Sequence, residues 1–151
     1  MVSKSNSAKE LGLGKILQKP IFISSSNRNL TFNVIEAIED YSFWTLSSLK
    51  YLYLSSNRLL SVNTNTFAGL IRLERIFLDG NELTTVSLND FAIAPSLKLL
   101  HLGWNQLEKI ILKEQNSTLP KLRNLEHLIL NGNNLSPDYL RFFNLSRIKS
   151  L

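Results

Sequence analysis

The sequence predicts an α/β solenoid, in which short parallel strands stack coil upon coil, and three observations carry that prediction. The spacing LxxLxLxxNxL occurs four times, as LKYLYLSSNRL from Leu49, LERIFLDGNEL from Leu73, LKLLHLGWNQL from Leu97 and LEHLILNGNNL from Leu125. The starts lie 24, 24 and 28 residues apart, a period of whole supersecondary units. The ninth position is always Asn: Asn57, Asn81, Asn105 and Asn133.

Each copy is apolar at its first, fourth and sixth positions, and the alternation between the last two is a strand signal. That alternation lasts about three residues, so a single strand cannot hide its apolar side and needs an identical neighbour. At the ninth position the chain turns inward and strands backbone amides and carbonyls away from water. A carboxamide both donates and accepts, so an inward Asn in every coil can pair with the backbone of its own coil and the adjoining one.

These residues resemble the leucine-rich repeat family, in the variant whose return segment carries a Phe. After Leu49 the chain continues LLSVNTNTFAGLIRL, with Val62, Phe67 and Leu70 before the next start at Leu73, and Phe91 stands at the matching place one repeat on. The resemblance runs from about Leu46 to Leu135. It implies a curved horseshoe segment with short parallel strands on its concave face and an irregular convex face of turns, 3₁₀ and short helical pieces.

Taken in order, residues 1–19 read as a flexible basic tail and edge segment: SKSN and SAKE are small and polar, and LGLGKIL then begins an apolar edge over the first coil. Its GLGK lacks the longer glycine spacing of a phosphate loop, and Ile16 follows the Lys where Ser or Thr belongs. Residues 20–48 read as a degenerate cap repeat. Leu30, Asn33, Ile35, Ile38, Phe43 and Leu46 fit the frame, whereas Ser25 and Arg28 stand where leucines belong. Residues 49–151 hold four full repeats. The third return has Leu119 and Leu122 but no Phe, and the last, with Phe142, Phe143, Leu145 and Ile148, ends at a Leu151 placed to open another repeat. An uncapped last coil would expose a large apolar patch, so the chain is expected to be a fragment of a longer array or to meet a partner end-on.

Composition narrows the function. The net charge of +5 divides into +3 in residues 1–20, +3 in residues 141–151 and −1 between them, so the repeat body is near neutral and no nucleic-acid partner is expected. The absence of cysteine excludes a disulfide framework and thiolate chemistry. No run of 18 apolar residues occurs, so no membrane span is expected in this chain. Four Asn-x-Ser/Thr sequons, at Asn29, Asn116, Asn134 and Asn144, are no more than the composition gives by chance.

Function in this architecture is expected on the concave face, where the positions between the inward leucines vary freely. Across the strands the third positions give Tyr51, Arg75, Leu99 and His127, the fifth give Tyr53, Phe77, His101 and Ile129, and the eighth adds Trp104. Exposed aromatics with Arg have the composition of a protein-binding surface. The same aromatics could instead be β-formers that stabilise one another across the ladder. The second positions, Lys50, Glu74, Lys98 and Glu126, alternate in sign and suit lateral ion pairs.

His101 and His127 lack converging further ligands, so no metal is expected. No nucleophile stands with a His and an acid, and no cofactor cradle is visible, so neither a cofactor nor an enzyme is expected. The leading expectation is a protein-recognition module from a larger receptor-like or secreted protein, as in Toll-like receptors, which this repeat subtype resembles. The alternative is an intracellular scaffold or spacer without a dedicated ligand, which the lack of Cys and of a signal segment favours. The repeat subtype tips the location of the parent toward the cell surface or exterior.

Overall fold

In a computed structural model of the chain, which describes residues 16–17, 25–111 and 122–136, the repeats form a parallel-strand solenoid of about four turns. Nine short strands occur among these residues. They are β1 (Ile16–Leu17), β2 (Asn27–Asn29), β3 (Ala37–Ile38), β4 (Tyr51–Tyr53), β5 (Arg75–Phe77), β6 (Thr85–Ser87), β7 (Leu99–His101), β8 (Lys109–Ile111) and β9 (His127–Ile129). One five-stranded parallel sheet, ordered β2-β4-β5-β7-β9, lines one side. Its register aligns Arg28, Leu52, Ile76, Leu100 and Leu128, the fourth position of each coil.

These strands are three residues long because only the third to fifth positions are extended before the chain turns. Their middle residue points inward, and together with the first and sixth positions it makes the core. Leu52, Leu54, Ile76, Leu78, Leu100 and Leu102 are fully buried. Arg28 is the exception at this place: it is buried in the strand of the first coil, and desolvation holds its guanidinium below the ordinary arginine range. At the opposite wall Phe43, Phe67 and Phe91 form a buried column, with ring centroids 6.5 and 5.3 Å apart.

The return segments are not purely irregular. Val86 and Ile110, both at the fourteenth position, centre a second parallel pair between β6 and β8, and Leu17 pairs with Ile38 in the same manner between β1 and β3. The convex side matches the expected irregular mixture of turns, 3₁₀ and short helical pieces: among the described residues it carries a 3₁₀ turn, Leu88–Phe91, with bends and turns elsewhere. The expectations for the basic tail and for the uncapped end at Leu151 lie outside the described residues.

The asparagines tie the coils together. The Asn81 amide donates to Leu78 O of its own coil at 2.9 Å and to Leu54 O of the preceding coil at 3.0 Å, while its oxygen accepts from Leu59 N at 3.0 Å. Asn57, Asn105 and Asn133 repeat this three-way pattern on Ile35, Leu83 and Leu107 N–H groups. Asn33, in the first coil, contacts its own Leu30 O and Thr31 O among the described residues.

The difference is measurable. Asn81→Ala strands the buried Leu59 amide and removes one of two Asn donors from each of Leu54 O and Leu78 O, which Asn57 and Asn105 also serve, and should cost about 3 kcal/mol in urea unfolding, whereas Asn33→Ala, partly open to water, should cost less than about 1.5 kcal/mol. Equal losses for the two variants would refute the inter-coil accounting.

Candidate functional site

The concave sheet presents its odd positions outward, and register brings them into rows. Tyr51, Arg75, Leu99 and His127 lie side by side, as do Tyr53, Phe77, His101 and Ile129. Parallel strands place successive members about 4.8 Å apart, which is close to the thickness of a stacked ring pair.

The fifth-position row uses that spacing. Tyr53 and Phe77 stack at 4.8 Å between centroids with planes 5° apart, and Phe77 meets His101 at 6.2 Å with a 34° tilt. Phe77 thus lies between two neighbouring rings, an arrangement worth about 0.5 to 1.5 kcal/mol per pair. In the third-position row the Arg75 guanidinium lies 5.6 Å over the Tyr51 ring, held there by the cation–π attraction.

Along the second-position row Glu74 sits between two cations, its oxygens 3.3 Å from Lys50 Nζ and 3.4 Å from Lys98 Nζ. The hydrogen bond from Lys50, aided by the charge of Lys98, holds the Glu74 carboxyl below the ordinary glutamate value against a smaller opposing effect of desolvation.

Beyond the rings the chain begins its inward turn. Ser55 Oγ donates to Asp79 Oδ1 at 2.8 Å, and the same oxygen lies 3.6 Å from His101 Nδ1. Gly103 N–H lies 3.3 Å from that Nδ1. The two histidines stand in different rows, because His127 is in register with Leu99 and His101 with Ile129. Among the described residues no group of three or more His, Cys, Asp or Glu is placed to hold a metal ion, and no helix is long and apolar enough to cross a membrane.

One feature was not anticipated from the sequence. Every eighth position has a left-handed backbone: Phe32, Ser56, Gly80, Trp104 and Gly132, with φ between 54° and 69°. Glycine takes this conformation freely, and other residues give up about 1 to 2 kcal/mol. The recurrence of Gly80 and Gly132 at one offset was the available signal, obscured because Phe32, Ser56 and Trp104 fill the other three places. Trp104 is largely exposed, and its ring lies against Gly132, where a Cβ would come within 2.6 Å of it.

A stability consequence belongs to the Glu74 bridge. Its carboxyl titrates lower folded than unfolded, so the bridge contributes above the ordinary glutamate value of 4.5 and is lost as pH falls through the lower folded value. Thermal unfolding of Glu74→Gln should lack that part of the acid-side decline, and high salt should shrink the difference. A variant whose pH profile parallels the parent at low salt would contradict the bridge.

Residues 47–107 match the leucine rich repeat family. No curated protein matches the chain. Among solved structures, the chain is similar to TLR13 in its complex with ssRNA13, at 28% identity and a TM-score of 0.65, over 83% of this chain and 17% of that one. It is also similar to internalin C2 of Listeria monocytogenes, at 24% identity and a TM-score of 0.56, over 82% of this chain and 50% of that one. A leucine-rich repeat protein of Leptospira interrogans aligns at 22% identity and a TM-score of 0.57, over 83% of this chain and 36% of that one. The last two share the fold. In all three the chain spans half or less of the other protein's length.

Proposed function

We propose that this chain, whose residues 47–107 are leucine-rich repeats, is a non-catalytic recognition module that seats a protein partner on its concave sheet. The observation that carries the reading is the outward set of Tyr51, Arg75 and Trp104 beside the ring stack, a fixed aromatic and guanidinium surface on a rigid backbone. Aromatic and Arg side chains are enriched at protein interfaces and dominate their energetics. Leu99, His127 and Ile129 fill the apolar and polar ground between them.

A shallow sheet without a closed pocket suits a large partner better than a small substrate. The parent of the chain is a larger surface or secreted recognition protein, a reading supported by the likeness to TLR13, of which the chain spans 17%. A spacer role is the competing reading, and the mutual stacking of Tyr53, Phe77 and His101 favours it for that one row.

The same likeness raises single-stranded RNA as a second ligand class, since the TLR13 structure is of an ssRNA complex. Two features weigh against it here. Phe77 already lies between two neighbouring rings, and Glu74 and Asp79 place carboxylates among the cations.

The deciding experiment screens the chain, tetramerised for avidity, against arrayed extracellular protein domains and against a single-stranded RNA. The double variant Phe77→Ala with Trp104→Ala should abolish protein hits, with a melting temperature lowered by the loss of ring stacking worth about 2 kcal/mol. Hits that persist in the double variant count against the concave face. RNA binding that falls steeply with salt would replace the protein reading with the nucleic-acid one.

A further inference from the structure

The left-handed row along the edge of the concave sheet holds the two most exposed large apolar side chains among the described residues, Phe32 at 81% and Trp104 at 66%. Both occupy a backbone conformation that disfavours bulky side chains, at φ 56° and 54°. Two strained aromatics at equivalent places remain largely in water, and strain of this kind collects at functional surfaces. The row itself is rigid, because each of its amides donates to the next coil: Phe32 N to Ser55 O, Ser56 N to Asp79 O, Gly80 N to Gly103 O and Trp104 N to Asn131 O.

We infer that Phe32 and Trp104 are the end posts of a docking slot for an extended segment of a protein partner, one with apolar side chains four residues apart and a basic residue midway. The inference rests on the reading of the concave side as a protein-binding surface and gives that partner its chemistry. The spacing follows from geometry. Three coil steps separate the posts, about 14 Å, and four residues of extended chain span about 13 Å with the first, third and fifth side chains on one face.

The floor between the posts is small and acceptor-rich. Ser56 and Gly80 occupy the two intermediate places, and Asp79, next to Gly80, is partly exposed and bonded to the Ser55 hydroxyl. The amides of the row are already used, so the floor presents the Asp79 carboxylate beside the Ser55 and Ser56 hydroxyls. A cationic side chain complements it, and a phosphate backbone would be repelled.

The test pans a phage-displayed random peptide library on the 151-residue chain and measures the recovered peptides by fluorescence anisotropy. Two apolar residues four apart with Lys or Arg midway should be enriched. Phe32→Ser and Trp104→Ser, each adopting the residue that Ser56 shows to be tolerated in this row, should weaken binding at least about tenfold while circular dichroism and melting are retained. Asp79→Asn should erase only the preference for a central cation.

Peptides sensitive to Phe77→Ala but indifferent to Phe32→Ser would overturn the slot and leave the concave-face reading standing. Recovery of no peptide, or of peptides indifferent to all these changes, would overturn both. A single-stranded oligoribonucleotide bound in a Trp104-dependent manner would also overturn the slot, by showing that the rim takes a base.

Discussion

Everything in this molecule depends on a carboxamide that reaches between coils. When the chain leaves a strand and turns inward it buries backbone groups among apolar side chains, and each ladder Asn reaches a carbonyl of its own coil and a carbonyl and an amide of the preceding coil with one side chain, so that every shared carbonyl accepts from two asparagines. Without that compensation the sharp inward bend would be too costly to repeat, and the leucines could not be held at a constant depth. The hydrophobic core supplies most of the driving force, but the asparagines decide that the coils stack in one register.

From that register the exposed surface follows. Outward side chains stand in rows only because consecutive strands begin at the same height, so Tyr53 lies against Phe77 and Arg75 over Tyr51. The rows divide the work. The fifth-position rings stack on one another and stiffen the sheet, whereas Arg75 and Trp104 stay largely exposed. A surface that is both rigid and open suits recognition because little entropy is lost when a partner arrives.

Most of the framework could be read directly from residues. Leu49, Leu73, Leu97 and Leu125 announce the coils by their spacing, and all are buried where the frame puts them. Three things could not be read. The pairing of Val86 with Ile110 is a second ladder, and neither segment looks like a strand alone, because its extended form comes from the neighbouring coil. The left-handed eighth position was hidden by residue types that ordinarily avoid it. Arg28 breaks the leucine pattern yet is buried like a leucine, since its aliphatic stem can fill an apolar site while the strand keeps its register. In each case the deciding term lies between coils, and a single repeat of sequence does not contain it.

The step from Leu97 to Leu125 is four residues longer than the others, yet Leu99 still faces His127 and Asn133 still reaches Leu102 O at 2.9 Å. Coil length and strand pitch are therefore independent variables. On one side of the solenoid the chain can grow, acquire new loops and diverge; on the other the spacing between outward side chains is fixed by backbone hydrogen bonds. Such an array can change in lineage after lineage at its back while offering an unaltered ruler at its front.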